Sequence, residues 1–315
     1  MLVLKNNTMK GRNYMLSMQA VAFLLLLAAC GAPQKKADFT GDDPQNGTIH
    51  ISVDESFKPI IDSQIRVYES SNPNARIIAH YKSEADCMKD MLVDSIRMVI
   101  VTRGLSPKEE AYYLDTLKIK PVWDRVAFDA LAVILNNAAK DSVFTMEEIR
   151  DMLKGTSPLP YQMVFDGLSA TSNVRYAMDS ILKGEKLTDK VMAAKTSEEV
   201  IDYVSKTPNA MGFIGVSWIG NKEDAQQVSF LEKVKVASIQ SKLDGGYVKP
   251  YQANIATRRY PMVRGLYYIV KENYVGLGRG FANFLAYERG QLVFRRAYLW
   301  PGKMNFTIRK ANVSE

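Results

Sequence analysis

At 315 residues, with 47% apolar and 24% charged side chains, 19 Gly, 12 Pro and no low-complexity tract, the chain has the make-up of one large or two ordinary α/β domains. This excludes a disordered or collagen-like polymer. The formal charge of +7 includes Lys5, Lys10 and Arg12 in a leader without acidic residues, which leaves +4 over the other 286 residues and no Lys/Arg block of the kind that binds nucleic acid.

Those three cations precede the run Met15 to Ala29, which contains Phe23-Leu24-Leu25-Leu26-Leu27 and ends at Ala28-Ala29-Cys30-Gly31. The run is shorter than the roughly 20 apolar residues that cross a bilayer, and Ser17 and Gln19 dilute its start, so residues 1–29 are expected to be an export signal. The quartet Leu27-Ala28-Ala29-Cys30 resembles the bacterial lipobox. That resemblance implies a mature N-terminus at a lipidated Cys30, anchored by acyl chains whose every buried CH2 adds about 0.8 kcal/mol. Residues 30–45, with Pro33, Lys35, Lys36, Asp42, Asp43 and Pro44, show no apolar periodicity and are expected to be a tether.

The recurring unit beyond it is a strand, a turn with Ser or Thr, and a helix with start and stop signals, the grammar of an α/β sheet. Thr48 to Val53 alternates as a strand and leads through Asp54-Glu55-Ser56 to Pro59, Ile61, Ile65 and Tyr68 on one helical face. Ala75 to Tyr81 is a second strand. Ser83 then caps a helix whose buried stripe is expected at Ala85, Met88, Met91 and Leu92. Met98 to Thr102 is a third strand, followed by a capping box of Ser106 and Glu109 with Pro107 between them. Phe128 to Leu135 is a continuous apolar strand, and Thr145 with Glu148 boxes the next helix, which Gly155 stops. Gln162 to Phe165 leads through Asp166-Gly167-Leu168-Ser169-Ala170-Thr171 to a helix carrying Val174, Ala177, Met178, Ile181 and Leu182. Thr196 and Glu199 start a helix with Val200, Ile201 and Val204, and Met211 to Val216 is a short strand. Asp244-Gly245-Gly246 marks a turn, Tyr260 to Val270 is β-like, and a helix with Phe281, Phe284 and Leu285 is expected to end near Gly290.

With Cys30 lipidated, Cys87 is the single remaining thiol, so the fold relies on its core, and Cys87 beside Met88 and Met91 is expected to be a buried small apolar residue. His50 and His80 have no Cys or carboxylate at ligand spacing, so neither suits a metal or a catalytic triad. No arrangement of nucleophile and base points to a hydrolase, and no cofactor or metal is expected. Ser56, Ser83 and Ser169 with Thr171 and Ser172 each stand between a strand and a helix, where hydroxyls and free N–H groups form anion sites. Taken singly, each hydroxyl is equally a preferred helix cap.

Taken together, several stretches resemble the phosphate-binding lipoproteins of bacterial high-affinity phosphate ABC transporters, of the type II periplasmic binding protein fold. Phe128-Asp129-Ala130-Leu131-Ala132-Val133-Ile134-Leu135-Asn136 with Thr145-Met146-Glu147-Glu148-Ile149 is similar to the family's hinge strand and following helix. Asn209-Ala210-Met211-Gly212-Phe213-Ile214-Gly215, Tyr260-Pro261-Met262-Val263-Arg264-Gly265-Leu266-Tyr267 and Gly278 to Gln291 resemble later family stretches, in order. The resemblance implies an α/β fold of two lobes joined by a two-strand hinge, lobe I being 46–125 plus 252–315 and lobe II 126–251. It implies a monomeric, periplasm-facing envelope lipoprotein that closes over phosphate or a related oxyanion and presents it to an ABC transporter permease. The alternative is the same fold with a lost or changed ligand, working as an envelope interaction or signalling protein.

The family's anion ligands carry over to Ser56, Ser83, Thr102 with Arg103, and Ser169 with Thr171. Asp166 stands where it can accept a hydrogen bond from a protonated phosphate, and Arg175, one turn on, is the candidate substitute for the arginine the family carries just before the fourth element, where Phe165-Asp166 stands here. The departures are acidic: Asp54 and Glu55 in the first loop and Glu84 in the second. Micromolar binding needs about 8 kcal/mol, and a hydrogen bond to a charged group supplies about 1.5–3 kcal/mol. Several, including Arg103 and Arg175, must therefore converge on the anion. One carboxylate about 5 Å from a unit anion costs on the order of 3 kcal/mol, so Glu55 and Glu84 must point away or pair with a cation.

Overall fold

The computed structural model describes residues 41–167 and 170–304. The export signal, Cys30 and Ser169 lie outside the described residues. Three strand–helix units open the domain: β1 (Asn46–Asp54), a 3-10 turn at Glu55–Phe57 and α1 (Lys58–Ser71); β2 (Asn74–Lys82) and α2 (Glu84–Asp90); β3 (Ile96–Val101) and α3 (Pro107–Asp115). β1 pairs in parallel with both β2 and β3, as strands connected through helices do. β4 (Val122–Asn136) follows, longer than the apolar run Phe128 to Leu135 on which it was expected, because its first residues are paired along an exposed part of the sheet.

The chain continues through β5 (Val143–Phe144), α4 (Met146–Lys154), β6 (Gln162–Phe165), α5 (Ser172–Tyr176) with a π turn at Ala177–Ile181, β7 (Met192–Ala193), α6 (Ser197–Lys206) and β8 (Ala210–Gly215). Then come α7 (Ala225–Lys233), β9 (Val234–Val236), β10 (Ser238–Gln240), β11 (Tyr247–Val248), α8 (Gln252–Ala256), β12 (Val263–Val270), α9 (Leu277–Ala286), α10 (Glu288–Arg296) and β13 (Trp300–Pro301). The main sheet runs β2-β1-β3-β12-β4-β8-β6-β7, and β5, β10 and β11 form a small second sheet.

β4 is the spine of this arrangement. Its first part lies antiparallel to β12, with β13 at Ala127 and Phe128, and its second part lies antiparallel to β8 and β9. One continuous strand thus serves a β1 half and a β8 half, and the chain returns from the second to the first through Lys249-Pro250-Tyr251. From Val126 to Asn136 every residue but Phe128 is buried, so the junction is held by core packing on both faces.

The local signals act as their chemistry dictates. Ser106 with Glu109 and Thr145 with Glu148 form complete capping boxes, and Gly155 ends α4 at φ +76°, a left-handed value suited to glycine. Thr196 caps α6 through the Glu199 N–H, while the Glu199 carboxylate accepts from Lys195 N rather than closing a box. Three expectations are corrected. α2 buries Glu84 and Cys87, and Met91 just past its end is buried, whereas Ala85 is exposed and Leu92 is 57% exposed. The helix expected to end near Gly290 breaks at Tyr287 instead, and Gly290 lies inside α10, where only glycine fits since a Cβ would stand 2.1 Å from the Phe284 carbonyl. Asp42, assigned to the tether, is docked on the domain: it accepts from Leu277 N at 2.7 Å and pairs with Arg97 at 3.1 Å.

Candidate functional site

The strand ends of the two halves meet in a buried polar cluster. β1 runs out of apolar residues at Asp54, whose Oδ1 accepts from Ser56 N at 3.0 Å and so shapes the turn into α1. Ser56 Oγ lies 3.3 Å from Asp166 Oδ2, at the end of β6, and 3.3 Å from Ser172 Oγ, at the start of α5. Asp166 Oδ2 also accepts from Asn173 Nδ2 at 2.7 Å. The Ser217 hydroxyl donates to the Ser56 carbonyl at 2.7 Å, so the first loop is tied to the β8 half from both sides.

The cation of this cluster is Arg264, which sequence reasoning did not single out. It comes from β12, is 5% exposed, and packs its guanidinium over the Phe57 ring with 5.1 Å to the centroid. Nε donates to Asp129 Oδ2 on β4 at 2.9 Å and Nη1 to Ser172 Oγ at 3.1 Å. Nη2 lies 2.9 Å from the same aspartate oxygen but out of line for a hydrogen bond, and is left without one. Gly215 permits the approach: a Cβ there would be 3.1 Å from Arg264 Nη2 and 3.2 Å from the Ser56 carbonyl. The signal for both residues was in the sequence, because Asp129 is the one charge in the apolar run Phe128 to Leu135 and Arg264 alternates with Leu266 and Tyr268 toward the core.

Burial dominates the protonation of the acids here. It raises Asp129 and Asp166 above the ordinary carboxylate range, against the pull of Arg264. Asp54 is pushed up to about 7 by burial and by the charge of Glu84, with Arg264 opposing. Asp54 Oδ2, Asp166 Oδ1 and Asn173 Oδ1 are buried acceptors without a donor in hydrogen-bond geometry, although Thr171 stands beside Asp166 and Ser172 beside Asp54.

Glu84 stands at the head of α2 and faces the other half. Its Oε1 accepts from Thr102 N at 2.9 Å and Thr102 Oγ1 at 2.5 Å, and Arg175 meets it with Nε to Oε2 at 2.5 Å and Nη2 to Oε1 at 3.2 Å. Arg175 Nη2 also donates to Thr102 Oγ1 at 2.6 Å, and Ala85 N bonds the Ala170 carbonyl at 3.0 Å. Burial disfavours the Glu84 charge, but the Arg175 hydrogen bonds and charge, with Thr102, outweigh it and hold the carboxyl below its ordinary value. The inward turn of Glu84 also explains why α2 is rotated from the expected stripe. A protein carboxylate therefore occupies the donors of Thr102 and Arg175. We expect Glu84→Gln, which keeps the shape and removes the charge, to tighten oxyanion binding by at least tenfold while lowering Tm. Calorimetry showing unchanged or weaker binding would separate Glu84 from the anion's position.

Glu55 accepts from Ser197 N at 3.2 Å and Ser197 Oγ at 2.8 Å, a carboxylate at the N-terminus of α6, and burial with the nearby charge of Asp166 pushes it up to about 7. Arg103 was expected to converge on the anion; instead it forks onto Glu109 with two 2.8 Å bonds. Ser83 and Thr171 act as helix caps, accepting from Asp86 N and Val174 N. Cys87 is buried, which raises its thiol well above the ordinary range. His50 and His80 bond each other at 2.8 Å between β1 and β2, away from the cluster in the sheet. Among the described residues no group of three or more His, Cys, Asp or Glu is placed to hold a metal ion.

Residues 39–289 match the PBP superfamily domain, and the chain belongs to that superfamily. It is 24% identical over 326 residues to the phosphate-binding protein PstS of Bacillus subtilis strain 168, covering 96% of this chain and 99% of that one. Among solved structures, a phosphate ABC transporter substrate-binding protein from Clostridium perfringens with bound phosphate superposes with a TM-score of 0.67 at 19% identity, over 82% of this chain and all of the other. An ABC-type phosphate transport receptor from Vibrio cholerae gives 0.59 at 17% identity, over 81% of this chain and all of the other. The fold is thus the mixed α/β periplasmic binding protein type II fold.

Proposed function

We propose that the chain is the solute-binding lipoprotein of an ABC importer, taking an inorganic oxyanion, phosphate foremost, between lobe I (46–125 with 252–315) and lobe II (126–251). β4 and the Lys249–Tyr251 crossing serve as the hinge. The observation that carries the ligand chemistry is the mixed demand of the buried cluster. Asp54, Asp166 and Asn173 present acceptor oxygens with no aligned donor, and Arg264 Nη2, 2.9 Å from Asp129 Oδ2 without an aligned hydrogen bond, presents a donor. Hydrogen phosphate supplies both, whereas sulfate supplies only acceptors. The relatives named for phosphate support the same choice. Within this reading the protein binds and delivers rather than catalyses, acts as a monomer outside the cytoplasm, and is held to the membrane by the lipid on Cys30.

Titration calorimetry of the mature domain, freed of carried-over anion, tests the ligand. Phosphate is expected to bind at micromolar affinity or tighter, with sulfate and a neutral sugar inert. Asp166→Asn is expected to cut the phosphate-over-sulfate ratio by at least tenfold, since an amide can present its N–H to an unprotonated oxyanion; an unchanged ratio removes Asp166 from recognition. Cys30→Ser is expected to move the protein from the membrane to the soluble fraction on fractionation. A second reading, the same fold with a changed ligand acting as an envelope interaction protein, draws on the carboxylate excess: the five acids Asp54, Glu55, Glu84, Asp129 and Asp166 are set against Arg175, Arg264 and the more distant Arg103. Absence of binding by any oxyanion would favour it.

A further inference from the structure

We infer a second ligand site, separate from the Arg264 cluster, that takes a small amphipathic anion with an apolar body and one anionic head. A cavity of about 310 Å³ opens between β9, the turn after β8 and the Lys249–Tyr251 crossing. It is at the lower end of small-molecule sites, which span roughly 300–1,000 Å³, and equals the space of about ten liquid waters. Its walls include Val216, Ile219, Leu231, Val234, Tyr251 and Tyr298. The lining holds three lysines, Lys222, Lys235 and Lys249, and no carboxylate.

The state of those lysines decides the class of guest. Lys235 Nζ donates to the Ala139 carbonyl at 2.6 Å and is fixed by it. The ammonium groups of Lys222 and Lys249 make no hydrogen bond or ion pair with any described residue, so an anion in the cavity meets no competing carboxylate on them. Free phosphate is a poorer fit, because the ammonium groups can meet some of its oxygens but the apolar walls would strip water from the rest without replacing the hydrogen bonds. A cation is repelled, and a neutral sugar leaves the ammonium charges unmatched. An apolar chain or ring with a single carboxylate satisfies both the walls and the ammonium groups.

The pocket is also firmly built. Tyr298 holds a left-handed backbone, φ 64°, which a large side chain adopts only where its surroundings impose it. Gly220 lies against it: a Cβ there would stand 2.8 Å from the Ala297 carbonyl and 3.0 Å from Tyr298 Cβ. Tyr251 stands on the segment returning from the β8 half and Tyr298 shortly precedes β13 on β4, so an occupant touches both halves at the point where the chain crosses between them.

Octanoate, a single carboxylate on an apolar chain, is the probe, titrated by calorimetry into the mature domain alongside 1-octanol and octylammonium. One octanoate per chain is expected to bind at least tenfold more tightly than octanol, with octylammonium inert. Lys222→Glu, outside both the Arg264 cluster and the hinge, is expected to weaken octanoate by at least tenfold and leave the phosphate titration unchanged, and adding Lys249→Glu is expected to weaken octanoate further. Octanol binding as tightly as octanoate, octanoate binding untouched by the charge reversals, or no octanoate binding each overturns the site. None of these outcomes depends on whether phosphate is the cleft ligand.

Discussion

Replacing Arg264 with methionine is expected to lower the melting temperature by about 10–15 °C. Asp129 is completely buried and Arg264 is the one cation bonded to it, while Asp54 and Asp166 feel the same positive charge. Breaking a buried pair by removing one partner costs about 3–5 kcal/mol because the other charge is left uncompensated, and 1 kcal/mol moves Tm by about 2–4 °C in a domain of this size. The paired change Arg264→Met with Asp129→Leu is expected to recover part of the loss. Apolar replacement of a whole ion pair is close to neutral, but Asp54 and Asp166 remain without their cation. Thermal unfolding followed by circular dichroism reads both variants. A loss under about 1 kcal/mol in the single variant would mean that the aspartates are protonated and that Arg264 does not balance them. Phosphate binding is expected to vanish in both variants, since each lacks the donor at Nη2.

What the sequence could and could not reveal follows from the range of each interaction. Caps were legible because donor and acceptor lie within one turn: Ser106 with Glu109 and Thr145 with Glu148 formed as their spacing required. The partner that competes with the anion for Arg103 is local too. Glu109, already visible as a capping residue, sits six positions on and takes the guanidinium as well. Asp129 and Arg264 were each conspicuous as a charge on an apolar strand, but 135 positions separate them, and only the antiparallel register of β4 with β12 brings them together. Glu84 defeated the periodicity argument for α2, because an ion pair with a residue 91 positions away turns the helix and exposes Leu92. α7 and β9 were missed since Ala225–Lys233 mixes Gln, Ser and Glu into a short helix whose buried residues, Gln227 and Phe230, do not form an apolar stripe.

The protein is expected to be most stable near pH 5 and to lose several kcal/mol as the pH rises to 8. Asp54 and Glu55 are pushed from 3.8 and 4.5 to about 7 in the folded state, chiefly by burial. A carboxyl that holds its proton more tightly when folded makes the native state bind more protons than the unfolded chain between the two values. Its stabilisation is therefore complete below pH 4 and disappears as the pH climbs through 7. Each pH unit between the unfolded and folded values is worth about 1.36 kcal/mol, so each group contributes at most about 3–4 kcal/mol. Acid denaturation has a different source. Glu109 is held down to about 2 by the Arg103 hydrogen bonds, and Glu84 is held below its ordinary value against burial by Arg175, so their stabilisation is present above pH 4.5 and is lost as the pH falls. Melting curves from pH 3 to 9 are expected to trace a dome, and Asp54→Asn, permanently neutral, to remove about half of its alkaline slope. A Tm that stays level or rises between pH 5 and 8 would show that these acids are ionised at no cost. Phosphate adds the functional arm: a protonated oxyanion oxygen donating to Asp54 or Asp166 replaces the proton the carboxyl would otherwise keep, so saturating phosphate is expected to flatten the alkaline limb and sulfate to leave it steep.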